Sequence, residues 1–402
     1  MSAGGLGLRK SVDHNNVAFV ASVCSSLNLI CRLIGSGAEH EDCGRGEDSG
    51  RVEDGGRAED GGRAEVSGRA EDRGEEESGQ EEVGVMSAQE RVATQLITQE
   101  VLAQLSAAVG VEVPLAELLA GGVTQKILAH RVDVFQREKL VKHFSNSVRD
   151  LARLNSLTMP QARVFLNSIP NTHAGTFLRS DEWRVNVLYS LGQDIFPPGT
   201  YCSACHRAMC TQGHHTLGCT TGGETVARHH ALREGLIRLG KAAGNLVTRE
   251  ERNLLPGSNR IPGDLNLKFQ GKNGADLICD VTVVSSLKDD VIERGAVEVG
   301  WAAATGHQRK ERLVGAACRA QGLDFAPLSI ETLGGWESSA IKVIKSLATQ
   351  KALRNNHDIK RTISQEFKVL NILLMRGNAS LLLNRFQSDS MVPQEEVFEE
   401  DL

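Results

Sequence analysis

From Ser87 onward the apolar positions of the chain fall at helical spacing. Val92, Leu96, Ile97, Val101, Leu102 and Leu105 share one face, and further stripes run from Ile127 to Phe144 and from Val148 to Leu157. The stretch from Ala162 to Phe165, a break at Ile169-Pro170 and the segment Trp183 to Leu191 lead into Pro197-Pro198-Gly199, a loop signal. Together these predict a helical domain over residues 87–200.

The second half changes period. A helix is predicted from about Glu224 to Ala243, then two short β-like runs, Asp264 to Gln270 and Asp276 to Val284. A helix from about Asp290 to Ala320 follows, then a third β-like run, Phe325 to Glu331, closed by Gly334-Gly335. Two helices, near Ser338 to Arg354 and Ser364 to Arg385, complete the pattern. Helix, strand, strand, helix, strand is the order of a mixed α/β core.

Between residues 37 and 86 there is almost nothing apolar to bury. Arg45, Arg51, Arg57, Arg63 and Arg69 recur every six residues in Gly-rich acidic units, a composition that predicts a disordered linker over residues 37–86. Glu39 to Glu82 holds 17 acidic residues against 6 arginines, a local charge of −11, so the net −6 of the 402-residue chain leaves the rest near +5. A mildly basic folded part is compatible with nucleic acid without arguing for it. The most apolar early run, Val17 to Ile34, is interrupted by Ser22, Ser25, Ser26, Asn28 and Arg32. Neither a signal peptide nor a membrane span is expected there, so the chain reads as intracellular and soluble, with reduced thiols and no membrane partner.

Four of the nine cysteines, Cys202, Cys205, Cys210 and Cys219, crowd with histidines into one short window. Cys202-Ser-Ala-Cys205 can bite a single tetrahedral ion, and His214 with Cys219 supplies a second pair. Cys210, His206 and His215 are near enough to substitute. Four ligands and no open position would make such a zinc structural. The expectation is a zinc knuckle over residues 201–221.

Asn273-Gly274 between the two β-like runs is a hairpin signal. A three-residue loop of Lys272 to Gly274 would pair Leu265 with Val281, Leu267 with Cys279 and Phe269 with Leu277 on one apolar face. The other face would then set Asp264 across from Thr282 and Asn266 across from Asp280, with Lys268 diagonal to Asp280. Two carboxylates and an amine on one side suit Mg²⁺ and metal-assisted phosphodiester hydrolysis, although an ordinary solvated hairpin face would show the same pattern. Glu234, on the preceding helix, is the candidate third carboxylate, and Arg228-His229-His230 could contact phosphate or the zinc loop.

These motifs, in this order, resemble the restriction-like endonuclease module at the C-terminal end of site-specific retrotransposons that lack long terminal repeats. Cys-x₂-Cys-x₈-His-x₄-Cys from Cys202 to Cys219 resembles that family's zinc knuckle, and Gly222-Gly-Glu-Thr-Val-Ala-Arg228-His229 its Gly-Gly-x₄-Arg-His segment. Asp264 with Asp280-Val-Thr-Val resembles its paired acidic motif, and His307-Gln-Arg-Lys310 and Phe325 to Gly335 resemble later segments. Gly4 to Arg9 with Ala18 to Ser22 resembles sequence downstream of a polymerase palm, while a polymerase with its catalytic aspartates is missing.

The resemblance implies a PD-(D/E)xK fold over residues 222–390, Mg²⁺ at Asp264 and Asp280, a catalytic lysine at Lys310, and nucleic-acid contacts at Arg228 and His229. It also implies a nuclear protein that nicks DNA to prime reverse transcription, with DNA and element RNA as partners and a polymerase acting in trans. Residues 1–36 would be a post-polymerase remnant and 391–402 an acidic tail. Three departures stand out: Gly263 interrupts the Pro-Asp dipeptide, Thr282 stands where such enzymes carry lysine, and Leu313 and Val314 replace a lysine and tyrosine. The amine would come from Lys310 or Lys268. The alternative function is a catalytically decayed, zinc-containing nucleic-acid-binding remnant.

Overall fold

The computed structural model describes residues 97, 99–119 and 125–387. The remnant of 1–36, the hexad repeat of 37–86, Val92, Leu96 and the acidic tail of 391–402 lie outside the described residues. The chain divides into two compact units at the Ala129–His130 junction. In the smaller unit, α1 (Gln99–Val109) buries Leu102, Leu105, Ala108 and Val109, followed by α2 (Leu115–Leu119). The helix α3 (Gln125–His143) begins in this unit and its sequence continues into the larger one.

The larger unit opens with α4 (Val148–Thr158) and α5 (Ser180–Leu191). Ser147 caps α4 by accepting from the Asp150 N–H, which satisfies one of the free donors of the first turn. Ala152 and Leu157 of α4 and Val185 and Tyr189 of α5 share a core with Cys202, Leu217, Leu381 and Leu382. These two helices, which the sequence groups with a separate 87–200 domain, are thus packed against the cysteine cluster.

The centre is a four-stranded mixed sheet in the order β2-β3-β4-β5, where β2 is Val247–Arg249, β3 Leu265–Leu267, β4 Leu277–Val284 and β5 Asp324–Glu331. β4 and β5 run parallel and the other pairs antiparallel. Alternation divides the residues between two faces. Leu265, Leu267, Cys279, Val281, Leu328 and Ile330 turn to a core shared with α7 (Glu224–Ala242), α11 (Ser338–Arg354) and α12 (Ile359–Asn384). Asp280, Thr282 and Ser329 turn to the other face, covered by the β4–β5 crossover.

That crossover is α8 (Ile292–Val297), α9 (Trp301–Lys310), a π-helical turn over Glu311–Gly315, and α10 (Ala316–Ala320). The expected single helix is broken because Gly300 takes a left-handed conformation, φ 79°, just before α9. Gly306 then seats α9 on the sheet: a Cβ there would come within 2.8 Å of Ser329 Oγ. Among the described residues, no helix is long and apolar enough to cross a membrane.

The hairpin register differs from expectation by two residues. Leu265 pairs with Cys279 and Leu267 with Leu277. The strand ends early because Phe269 adopts φ 61° and the loop runs from Lys268 to Asp276, with Asp276 Oδ1 accepting from the Phe269 N–H. An even shift preserves which residues share a face, so the apolar side survives while the polar partners change.

Candidate active cleft and cysteine–histidine cluster

Asp264 and Asp280 meet in a cavity of about 320 Å³ lined also by Glu250, Arg260, Gly263, Lys310 and Val314. Asp280 is carried on β4. Asp264 precedes β3, and its backbone N–H donates to Cys279 O at 2.9 Å. Gly263 makes that approach possible, because a Cβ there would sit 2.7 Å from the same carbonyl oxygen and 2.6 Å from the Ile278 side chain. The glycine that interrupts the Pro-Asp dipeptide is therefore the residue that lets the chain pass against β4.

Each aspartate has its own partners. Asp264 Oδ2 accepts from the Val281 N–H at 2.6 Å, and Oδ1 lies 2.9 Å from His229 Nε2. Asp280 Oδ2 lies 2.8 Å from Lys310 Nζ at the C-terminal end of α9. Burial opposes ionisation of Asp264, but the His229 contact and the Val281 amide outweigh it and hold the carboxyl below its usual range. Burial instead pushes Asp280 up to about 6, with Asp264 adding to the effect and Lys310 opposing it. The π-helical turn begins directly after Lys310, a type of irregularity that is frequent at functional sites.

Two expected members are elsewhere. Lys268 does not approach Asp280, because the loop that shifts the register turns its ammonium to Glu251 Oε2 at 2.8 Å and Asp276 Oδ2 at 2.9 Å. Glu234 is not on the cleft wall, since Arg233 Nε at 3.1 Å and Arg249 hold its carboxylate. Glu250, just after β2, lines the cleft instead, with its N–H donating to Asp264 O at 3.1 Å and its carboxylate paired with Arg233. A three-residue strand carries no alternation signal, so neither β2 nor Glu250 was legible in the sequence. Thr282 is buried beside Gly306 and leaves the lysine position of the hairpin without a cation.

Arg228 and His229 occupy α7. His229 is the partner of Asp264 described above. Arg228 is 5% exposed, with Nη1 donating to Asn378 Oδ1 at 2.8 Å and Nη2 to Leu217 O at 3.2 Å.

The cysteine cluster is built by β1 (Tyr201–Cys202), which pairs with β6 (Phe386–Gln387), and by the short α6 (His214–Gly218). Cys202, Cys205, His215 and Cys219 bring their ligand atoms within 4.8 Å of one another. This corrects the expected set: His215 replaces His214. Consecutive helical residues project about 100° apart, so only one of the two can face the thiols. His215 Nε2 lies 3.1 Å from Cys205 Sγ. His214 turns inward, with Nε2 3.1 Å from Arg153 Nη2 and Nδ1 3.1 Å from Cys210 Sγ, and burial with Arg149 and Arg153 lowers its pKa to about 3.

Ligand bonds of about 2.0–2.3 Å around a tetrahedral ion put donor atoms about 3.3–3.8 Å apart. The observed spread needs only small side-chain adjustments to meet that geometry, so three thiols and one imidazole fit a metal such as zinc. Arg385, wholly buried, donates to Cys219 O at 3.1 Å and pairs with Glu224 at 2.6 Å, placing a positive charge behind the thiols.

No known protein-family model matches this chain, and no curated protein is significantly similar to it. The cleft and the cluster therefore have to be read from their own chemistry.

Proposed function

We propose that the chain is a Mg²⁺-dependent DNA endonuclease of restriction-like fold, stapled by a structural zinc at Cys202, Cys205, His215 and Cys219. The observation that carries this reading is the meeting of Asp264, Asp280 and Lys310 in one open cleft, from three separate elements. Hard carboxylate oxygens suit Mg²⁺, and a bound Mg²⁺ supplies a water of lowered pKa and neutralises charge on phosphate.

The side chains divide the remaining work. Asp264, with its two oxygens oriented by His229 and the Val281 amide, and Asp280 would hold the ion. Lys310 stands where an ammonium can stabilise the negative charge that builds on phosphate oxygens during displacement. Arg260, which lines the same cleft, would meet a flanking phosphate. In the retroelement setting suggested by the motif order, the product would be a nick whose free 3′-hydroxyl primes reverse transcription in the nucleus.

A second reading is a nucleic-acid-binding remnant that no longer cuts. The ion pair of Lys310 with Asp280 and the threonine at position 282 favour it. Supercoiled plasmid incubated with the purified chain separates the two. Mg²⁺-dependent nicking supports the endonuclease; binding with a steep salt dependence and no nicking supports the remnant.

A further inference from the structure

A second cavity, of about 400 Å³, opens between α6, the first turns of α7, β4 and α9. Its walls carry Lys288, Arg309 and Lys310, with His229 and Thr225, and Arg228 lines it from the interior. Among the lining residues the sole acidic side chain is Asp290, which lies 3.7 Å from Lys288 Nζ.

Arg228 makes this cavity unlike an ordinary basic surface. It is buried, its two bonded partners are the uncharged Asn378 amide oxygen and Leu217 carbonyl, and Nε has no partner. No carboxylate among the described residues pairs with it. A buried cation without a counter-ion is costly, and burial accordingly lowers its pKa to about 10. An anion seated in the cavity would offset that cost. Thr225 lies in the first turn of α7, near the positive end of the helix dipole.

We propose that this cavity binds a phosphate group, with Arg228 as its buried anchor and Lys288 and Arg309 as its rim. The cavity shares His229 and Lys310 with the cleft. On the endonuclease reading, on which only this part rests, it would hold a neighbouring phosphate of the strand being cut. Free phosphate is the other source of the same chemistry.

Isothermal titration of inorganic phosphate into the full chain, without added Mg²⁺ or Mn²⁺, tests the site. One phosphate per chain is expected, with affinity at least tenfold weaker in Lys288→Gln/Arg309→Gln and in Arg228→Lys, each checked for native circular dichroism. Lys268→Met, whose ammonium sits between Glu251 and Asp276 away from the cavity, should bind phosphate as the parent does. Competition by an unphosphorylated DNA oligomer would assign the site to backbone phosphate, and binding of phosphate without competition would assign it to free phosphate; both support the cavity. Failure of phosphate to bind, or equal binding by the rim variant, overturns the proposal. Absence of DNA cleavage would sink the endonuclease reading and leave this result standing.

Discussion

Lys310 Nζ lies 2.8 Å from Asp280 Oδ2, reaching from the last turn of α9 to a carboxylate on β4. Gly306, one turn earlier, is what brings the helix close enough to the sheet for that contact. An amine that the hairpin lacks is thus supplied by the crossover helix.

The two lysines should therefore separate by variant. Lys310→Met is expected to lower the rate of DNA cleavage by about 10²–10³-fold, the usual loss when one charge-stabilising donor is removed. Lys268→Met should cut at the parental rate. Its loss should appear in urea melts as roughly 1–2 kcal/mol, because Glu251 and Asp276 lose their shared cation.

Gly263→Ala forces a Cβ against Cys279 O and Ile278. Overpacking of this kind costs about 1–3 kcal/mol, and the backbone must move Asp264 away from β4 to relieve it. Denaturant melts should show the stability loss, and calorimetric titration of Mn²⁺ should show weaker binding. Parental values in both would mean that the glycine is dispensable.

The cysteine cluster predicts one zinc per chain by elemental analysis. Cys202→Ser and His215→Ala should release most of it, whereas His214→Ala should retain it while losing stability through its buried contacts with Arg153 and Tyr189. Retention by His215→Ala together with loss by His214→Ala would reverse the assignment.

Glu331 gives a pH dependence. Its carboxyl is buried between Ser156, which donates to Oε2, and the Ala303 N–H, 3.2 Å from Oε1, and burial raises its pKa above the ordinary 4.5. A raised folded pKa means that the folded state holds its proton more tightly than the unfolded chain. The resulting stabilisation is full below about pH 4.5 and is lost as the pH rises through the raised value. Glu331→Gln should therefore gain stability relative to the parent between about pH 4.5 and neutrality, read from urea midpoints. A constant difference across that range would count against it.

The long elements were legible because their periodicity was strong. α7 and α11 match the expected spans, and β4 and β5 match within a residue. The apolar hairpin face could also be read, since alternation fixes face membership even when register slips by two. The register itself could not, because it depends on Phe269 entering a left-handed conformation, against the preference of a bulky side chain.

At the cleft, Asp264, Asp280 and Lys310 were legible and do come together. Lys268 and Glu234 were misplaced because their charges are captured by neighbours that sequence spacing does not reveal: Glu251 and Asp276 in one case, Arg233 and Arg249 in the other. The choice between His214 and His215 turned on which face of a five-residue helix meets the core, and nothing in the local sequence distinguishes them.

On the endonuclease reading, Asp264 and Asp280 hold the ion on which DNA cleavage depends. Relaxation of supercoiled plasmid by the parent, Asp264→Asn and Asp280→Asn, at matched zinc content and with Mg²⁺ or Mn²⁺, tests it most directly. Metal-dependent nicking by the parent and its loss in both variants is the expected result. A parent that never nicks, or a variant that nicks as fast as the parent, would contradict it.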